Sequence, residues 1–232
     1  LVYGGGRQVV RVGRMAGQYA KPRSKPVETR DGVTLPSYRG DLINRIAFDE
    51  ASRRPDPMNL LEGYSRSAMT INFVRSLLAG GFGDVHHADI WDLSFMKDSE
   101  LVDEHRALVA SMKASVRFLD VMLDRKLSDL AATDFFTSHE GLHLDYEQAA
   151  SELPPLRDGW YDLSTHMPWI GNRTRDIDGA HVEFFRGIRN PIGVKVGPGM
   201  DFEELDALIR ILNPEDEPGR LTLIVRMGAD IV

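Results

Sequence analysis

Short apolar runs alternate with helix-like segments along much of this chain, and this alternation constrains its fold more than any other feature. Residues 143–153, 178–188 and 201–212 are helix-like, and each lies between two apolar runs. Asp201 and Glu204 form a capping-box-like start for the last helix. Strands that alternate with helices are typical of parallel β/α units. We therefore predict an α/β fold with five strands, at residues 9–12, 130–137, 161–169, 191–196 and 221–225.

The long interval between the first two predicted strands is expected to hold a loop and two helices. Residues 27–54 are polar and are interpreted as an irregular loop over the strand end, since long ordered loops are often functional lids. Asp56 and Pro57 are typical of a helix start. That helix is expected to end at Gly80 and to pack its apolar stripe against a core. A second long helix is predicted over residues 99–119.

The acidic balance of the chain restricts its partners. There are 28 lysine and arginine residues against 35 aspartate and glutamate residues, which gives a formal net charge of −7, so we expect no nucleic-acid partner. No apolar run approaches the about 20 residues that span a membrane. The absence of cysteine excludes disulfides and thiolate chemistry within this chain. The 232 residues suit one large α/β domain or two small ones.

Basic side chains follow the predicted strands at the point where each strand ends. Arg14, Lys195 and Arg226 lie at the carboxyl ends of three apolar runs, and Arg173 lies just past another. Parallel β/α folds place their active sites at this edge. A cation there is costly to desolvate unless it is paired, and few acids are expected at the same ends. The pattern predicts a site for two anionic groups, such as a phosphate and a carboxylate; scattered snorkelling cations are the alternative.

A basic turn follows the first strand and strengthens this prediction. Lys21, Pro22, Arg23 and Ser24 come shortly after Arg14, and cations this close repel one another unless an anion lies between them. A guanidinium, an ammonium and a hydroxyl group together suit a phosphate or carboxylate. A solvated basic loop is the alternative interpretation.

Histidine-rich segments raise the question of a metal site. Residues 139–143, His-Glu-Gly-Leu-His, match the H-E-x-x-H pattern of zinc hydrolases. The match straddles a predicted strand end, Gly141 weakens any helix between the two histidines, and Glu147 is closer than the usual third ligand. The pair His86 and His87 has no second cluster at ligand spacing. We interpret both segments as structural and predict no metal ligand in this chain.

Five ordered blocks of sequence together resemble the class II, plant and actinobacterial type, 3-deoxy-D-arabino-heptulosonate 7-phosphate (DAHP) synthases. The resemblance covers essentially the whole chain and is far more specific than any single motif. The blocks are Gly-Arg-Met-Ala-Gly-Gln-Tyr-Ala-Lys-Pro-Arg-Ser at 13–24, Ser-His-Glu-Gly-Leu-His-Leu-Asp-Tyr-Glu at 138–147, Trp-Ile-Gly-Asn-Arg-Thr-Arg at 169–175, Asn-Pro-Ile-Gly-Val-Lys-Val-Gly-Pro at 190–198 and Gly-Arg-Leu-Thr-Leu-Ile-Val-Arg-Met-Gly at 219–228.

The resemblance implies a fold and a reaction. The fold would be a partial (β/α)8 TIM barrel, about strands two to six of eight, with a helical insertion after the first strand present. Residues 1–232 would be a single catalytic-barrel fragment of a longer reading frame, without the first barrel strand and the last two. The reaction would be the first step of the shikimate pathway, the condensation of phosphoenolpyruvate with erythrose 4-phosphate. A divalent metal such as Mn or Co would polarise the aldehyde, held by Cys, His, Glu and Asp ligands outside this chain.

The same resemblance assigns roles to residues that match the family motifs. The phosphoenolpyruvate-binding residues would be Arg14, Trp169, Asn172, Arg173, Lys195 and Arg226. The erythrose 4-phosphate-binding residues would be Lys21, Pro22, Arg23 and Ser24. The catalytic residues would be Lys21, near the aldehyde, with Lys195 and Asn172.

One departure and several wider expectations accompany these assignments. The family normally has Glu where this chain has Asn172, and an amide can hydrogen-bond but cannot act as a base. A non-catalytic sugar-phosphate-binding or regulatory paralogue is therefore the alternative function.

The resemblance further implies a homo-oligomer when complete and chorismate mutase as a candidate partner. It implies a cytoplasmic location in a bacterium or a plastid location in a plant.

Overall fold

The computed structural model describes residues 10–82, 84, 102–123 and 134–228. Its chain divides into two compact units. One comprises Leu1–Arg11 with Met69–Phe135, and the other comprises Val12–Ala68 with Phe136–Val232. The predicted cationic site lies in the second unit.

Nine strands occur in the described part of the chain. Four of the five predicted strands are confirmed in position, with ends that differ by up to a few residues, and the one predicted over residues 161–169 is divided. Residues 9 and 130–133 of these predictions lie outside the described part of the chain. The strands are β1 (Arg11–Arg14), β2 (Val27–Arg30), β3 (Val33–Pro36), β4 (Phe135–Ser138), β5 (Ser151–Glu152), β6 (Tyr161–Asp162), β7 (Trp169–Ile170), β8 (Ile192–Val196) and β9 (Leu221–Val225).

Six α-helices and one 3₁₀ turn complete the described elements. The 3₁₀ turn is Ala16–Tyr19, directly after β1. The helices are α1 (Glu50–Arg53), α2 (Met58–Ala79), α3 (Val102–Leu123), α4 (Leu144–Ala149), α5 (Ala180–Gly187) and α6 (Phe202–Leu212). None of these helices is both long and apolar enough to cross a membrane.

Five strands follow one another in a single row in chain order, β1-β4-β7-β8-β9. β1 pairs with β4, and β7, β8 and β9 form a three-stranded parallel sheet. Glu140, just past β4, joins the row through a parallel bridge to Trp169, and the Trp169 amide donates to the carbonyl of His139 at 2.9 Å. The predicted α/β class is confirmed. A partial barrel is not established, since the sheets are small and the row of described strands does not close.

The apolar core lies between the parallel strands and the two helices that follow them. α5 and α6 bury one face against β7 and β8, and each fully buried aliphatic or aromatic side chain contributes about 1.5–3 kcal/mol. The predicted helix start is confirmed, because Asp201 Oδ1 accepts from the Glu204 amide at 2.7 Å. The buried cluster comprises Ile170, Val182, Phe185, Ile188, Ile192, Val194, Leu208 and Leu212.

The predicted strand over residues 161–169 is wrong as a single element. Only its two ends are strands, β6 and β7, and a turn lies between them. The Asn190 side-chain amide donates to the carbonyls of Asp162 at 2.8 Å and Thr165 at 3.2 Å. These hydrogen bonds satisfy backbone groups that a strand ladder would otherwise pair, so the chain can turn inside the protein. The helix predicted at 143–153 is likewise shorter, because residues 151–152 form β5 instead.

The segment 27–54 is a folded module and not an irregular loop. β2 and β3 form an antiparallel hairpin, and its turn residues Asp31 and Gly32 have positive φ angles of 50° and 78°. Arg53 is buried and donates to the carbonyls of Ala47 at 2.8 Å, Pro36 at 2.9 Å and Ile46 at 3.1 Å. A single guanidinium thus organises the backbone of the module.

The long helix α2 has the predicted position but not the predicted packing. It ends at Ala79, before Gly80. Its buried residues are the small or polar Asn59, Gly63 and Ser67, whereas Leu61 and Tyr64 are exposed. The expectation of a core-facing apolar stripe is therefore wrong for the described residues. His86 and His87 lie outside the described residues.

Candidate functional site

The carboxyl ends of the parallel strands surround a cavity of about 420 Å³. Each of β7, β8 and β9 contributes residues at its carboxyl end or just beyond, as expected for a parallel β/α arrangement. Predicted residues Pro22, Asn172, Arg173, Lys195 and Arg226 all line it. The full lining is Pro22, Glu140, Asn172, Arg173, Arg175, Lys195, Val196, Gly197, Pro198, Gly199 and Arg226.

Trp169 brings two of the predicted cations together. Its side chain is 5% exposed, the Arg14 guanidinium carbon lies 4.9 Å from the ring centroid, and Lys195 Nζ lies 5.0 Å from it. A cation over an indole face is attracted by the ring quadrupole. The indole therefore offsets part of the repulsion between two positive side chains that converge from β1 and β8.

Lys195 also has a carboxylate partner that sequence reasoning missed. Its Nζ lies 2.9 Å from Glu140 Oε2, and both groups line the cavity. Gly171 makes room for this carboxylate, because a Cβ atom there would lie 2.1 Å from Glu140 Oε1. The expectation that a ligand anion alone neutralises the strand-end cations is thus wrong for Lys195. Glu140 lies two residues past the end of β4, so the strand-end rule applied to acids would have identified it.

The remaining strand-end cations keep a positive excess in the cavity. Arg173 donates from Nη2 to the Ser24 hydroxyl at 3.2 Å. The Arg226 amide continues the ladder by donating to the Val196 carbonyl at 2.9 Å, which fixes its backbone at the cavity. Within the described ranges, neither Arg173 nor Arg226 forms an ion pair with a carboxylate. Both guanidinium groups are exposed and remain available for an anionic ligand.

The basic turn is held in place by the 27–54 module. The Lys21 amide donates to the Arg39 carbonyl at 2.7 Å, and Arg23 Nε donates to the Tyr38 carbonyl at 2.6 Å. Ser37 Oγ donates to the Lys25 carbonyl at 2.7 Å. These hydrogen bonds from the 27–54 module therefore fix the backbone position of the turn. Lys21 and Arg23 are exposed and do not line the cavity; Pro22 lines it.

Asn172 is engaged by an arginine that was not predicted as a site residue. Its Oδ1 accepts from Arg175 Nη1. Arg175 also donates from Nε to Glu204 Oε1 at 2.6 Å and from Nη2 to the Gly199 carbonyl at 3.1 Å. No sequence pattern indicated this pairing, although Arg175 lies in the block 169–175.

A buried polar network lies beneath the site and explains the histidine motif. His139 Nε2 contacts both oxygens of Glu147, at 3.0 and 3.1 Å, and Ser164 Oγ donates to Glu147 Oε2 at 2.6 Å. Burial and the nearby charge of Glu147 raise the pKa of Asp162 to about 7. His143 is the residue before α4, so the two histidines do not share a helix. The two histidines therefore lack the shared helix face that the zinc-hydrolase pattern needs, and the zinc hydrolase alternative is not supported.

The described residues do not by themselves fit a metal centre. No group of three or more histidine, cysteine, aspartate or glutamate side chains that could hold a metal ion occurs among them. Glu140, the carboxylate in the cavity lining, is paired with Lys195. That the ligands of an implied divalent cation lie outside this chain stays a prediction, and we assign no chemical step to a metal.

Comparison with known proteins gives consistent matches over the whole chain. A family model described as the class-II DAHP synthetase family matches residues 1–232. A phospho-2-dehydro-3-deoxyheptonate aldolase of Streptomyces coelicolor is 48% identical over 230 residues, which cover 99% of this chain and 51% of that protein. A protein of the same name from Neurospora crassa is 43% identical over 247 residues, covering 100% of this chain and 51% of that protein. The chain therefore spans about half the length of these curated relatives.

Proposed function

The chain belongs to the class-II DAHP synthetase family, and on that premise we propose that the protein carrying it condenses phosphoenolpyruvate with erythrose 4-phosphate. The products are DAHP and inorganic phosphate, in the first step of aromatic amino acid biosynthesis. The observation that carries the proposal is the convergence of Arg173, Lys195 and Arg226 on one cavity at the carboxyl ends of parallel strands. Two phosphorylated substrates require such a positive excess.

Phosphoenolpyruvate is the ligand for the cations grouped around β7, β8 and β9. Arg173 and Arg226 carry no carboxylate partner among the described residues, and their planar forks suit a phosphate or carboxylate. Lys195 lies between these two arginines in sequence, and it shares the Trp169 ring with Arg14. The buried indole forms the wall that fixes the two cations.

Erythrose 4-phosphate is the ligand for the basic turn. Lys21 and Arg23 are exposed, and the backbone of the turn is anchored to the module behind it. The hydrogen bond from Arg173 to Ser24 joins the two groups of residues. The phosphates of the two substrates would therefore bind on either side of this contact, with the aldehyde near Lys21.

The chemistry follows from the substrates and this charge distribution. The C3 carbon of phosphoenolpyruvate attacks the aldehyde carbon, a new carbon–carbon bond forms, and the aldehyde oxygen takes a proton. Water adds to the former C2 carbon, and the bond from that carbon to the phosphate oxygen breaks. Positioned cations orient the substrates and offset the charge that develops on both oxygens. Lys21 places its positive charge at the aldehyde, and Lys195 places its positive charge beside phosphoenolpyruvate. Asn172 forms hydrogen bonds but does not serve as a base.

The wider expectations are part of the proposal. The row β1-β4-β7-β8-β9, with helices after β7 and β8, supports assignment of these strands to a (β/α)8 barrel as strands two to six. A divalent cation, a homo-oligomer, a chorismate mutase partner and the compartment stay predictions. No contact of the described residues favours the non-catalytic paralogue.

Turnover by the product of the complete gene tests the proposal. The loss of phosphoenolpyruvate absorbance is followed with erythrose 4-phosphate and manganese, in wild type, Arg226→Ala and Arg210→Ala. Arg210 is an exposed arginine of α6 paired with Asp206 and serves as the matched control. We expect turnover in wild type and the control and its loss in Arg226→Ala. Retained phosphoenolpyruvate binding without turnover in wild type would favour the paralogue.

A further inference from the structure

We propose that Arg175 is a positioning residue that fixes the Asn172 carboxamide as a hydrogen-bond donor to the anionic ligand of the cavity. This inference rests on the proposed function and concerns how the site recognises phosphoenolpyruvate. It gives Asn172 a role that needs no base and gives Arg175 a role beyond its ion pair.

Arg175 is rigidly held. Its side chain is 11% exposed, and it contacts both carboxylate oxygens of Glu204, at 2.6 Å from Nε and 3.2 Å from Nη2. Nη2 also donates to the Gly199 carbonyl at 3.1 Å. Glu204 belongs to the first turn of α6, where its own amide is capped by Asp201. The guanidinium thus has one orientation, set by a helix and by the loop after β8.

The chemistry of the guanidinium determines the orientation of the amide. An arginine has five N–H donors and no acceptor, so only the oxygen of Asn172 can face it. The observed contact is Arg175 Nη1 to Asn172 Oδ1. The Asn172 Nδ2 group makes no hydrogen bond to any described residue, and Asn172 lines the cavity with Arg173, Lys195 and Arg226. Its two N–H donors are therefore available for an anion bound there.

A neutral donor at this position also preserves the charge of the cavity. Among the described residues of the lining, Glu140 is the only acidic one, and it is paired with Lys195. A carboxylate at position 172 could still accept from Arg175, but it would add a negative charge within reach of the bound anion. A carboxylate and an anionic ligand in hydrogen-bonding range of each other repel strongly where solvent is partly excluded. The structure thus predicts that Asn172 favours anion binding more than an isosteric acid would.

The test measures phosphoenolpyruvate binding by calorimetry to the product of the complete gene. Asn172→Asp changes the charge without changing the shape, and Asn213→Asp, at the end of α6 and outside the cavity lining, is the matched charge control. We expect Asn172→Asp to weaken binding at least about tenfold near neutral pH and Asn213→Asp to leave it within about twofold.

A double-mutant cycle with Asn172→Ala and Arg175→Gln tests the positioning role. We expect the double variant to bind within about twofold of Asn172→Ala, because Arg175 acts through Asn172 and has no further effect once that side chain is removed. Arg175→Lys replaces Arg175→Gln in the cycle if the latter lowers the melting temperature. Additive losses, or an Asn172→Asp variant that binds as wild type does, would overturn the inference. Wild type that does not bind phosphoenolpyruvate would instead overturn the proposed function.

Discussion

The guanidinium of Arg173 donates to the hydroxyl of Ser24 at 3.2 Å, although 149 positions separate the two residues. Arg173 follows β7, and Ser24 ends the basic turn after β1. The contact joins the residues assigned to phosphoenolpyruvate with those assigned to erythrose 4-phosphate. Because both side chains are exposed, substrates can reach both of them.

Removing the Ser24 hydroxyl should therefore affect both substrates. A hydrogen bond to a charged group contributes about 1.5–3 kcal/mol when buried and less when exposed. We expect Ser24→Ala to raise the KM of each substrate by a few-fold up to about tenfold, with little change in melting temperature. Steady-state kinetics of the complete protein checks this, with the exposed Ser65→Ala on α2 as the control. A rise in KM for erythrose 4-phosphate alone would show that Arg173 binds phosphoenolpyruvate equally well without its hydrogen bond to Ser24.

The Lys195–Glu140 pair should be required for turnover but not for folding. Glu140→Gln keeps the shape and removes the charge that holds Lys195 Nζ at 2.9 Å. We expect kcat to fall at least about tenfold, which corresponds to about 1.4 kcal/mol. Gly171→Ala should act in the same direction, because the added Cβ would lie 2.1 Å from Glu140 Oε1 and displace it. Wild-type kcat in both variants would remove the pair from the mechanism.

Arg53 should dominate the stability of the 27–54 module. It is 1% exposed and binds three backbone carbonyls together with Glu28. Removing one member of such a buried charged network costs about 3–5 kcal/mol. We expect Arg53→Ala to lower the free energy of unfolding by about that amount in urea titrations. The neighbouring Arg54→Ala, with an exposed side chain 3.9 Å from Glu50, should change stability by less than about 0.5 kcal/mol; equal losses would contradict the account.

Asp162 should make stability fall as pH rises from about 4 to about 7. Burial, then the charge of Glu147, raises its pKa to about 7 in the native protein, whereas the unfolded chain loses this proton near pH 4. The native state holds the extra proton in that range, so raising the pH favours unfolding by up to about 1.4 kcal/mol per pH unit. Urea titrations across the range should show a flatter profile for Asp162→Asn, with the exposed Asp158→Asn as the control. Identical profiles would show that Asp162 is ionised throughout.

Sequence periodicity predicted the elements of the parallel sheet and little of what connects them. Apolar runs or stripes, together with local start signals such as Asp201, mark four of these elements. A few consecutive residues were therefore enough to predict β8, β9, α5 and α6. The hairpin of β2 and β3 was missed, although Asp31-Gly32 is a two-residue turn signal of the kind that joins strands. The turn inside 161–169 depends on Asn190, which is distant in sequence.

The sequence likewise predicted which residues lie in the candidate site but not how their side chains pair. Arg173, Lys195 and Arg226 could be placed because parallel strands bring their carboxyl ends to one edge. The specific pairings in the site could not be predicted, since Glu140 and Lys195 are 55 positions apart, and Arg175 and Glu204 are 29 apart. Such pairings depend on how whole helices and strands pack together, so a local sequence pattern cannot predict them.

The coupling of phosphate release to condensation tests the central claim most directly. The product of the complete gene is given phosphoenolpyruvate with and without erythrose 4-phosphate, and both the loss of phosphoenolpyruvate and the release of inorganic phosphate are measured. We expect phosphoenolpyruvate loss and phosphate release in equal amounts, only when both substrates are present, and neither of them in Arg226→Ala. Phosphate release without erythrose 4-phosphate, or turnover unchanged in Arg226→Ala, would contradict this expectation.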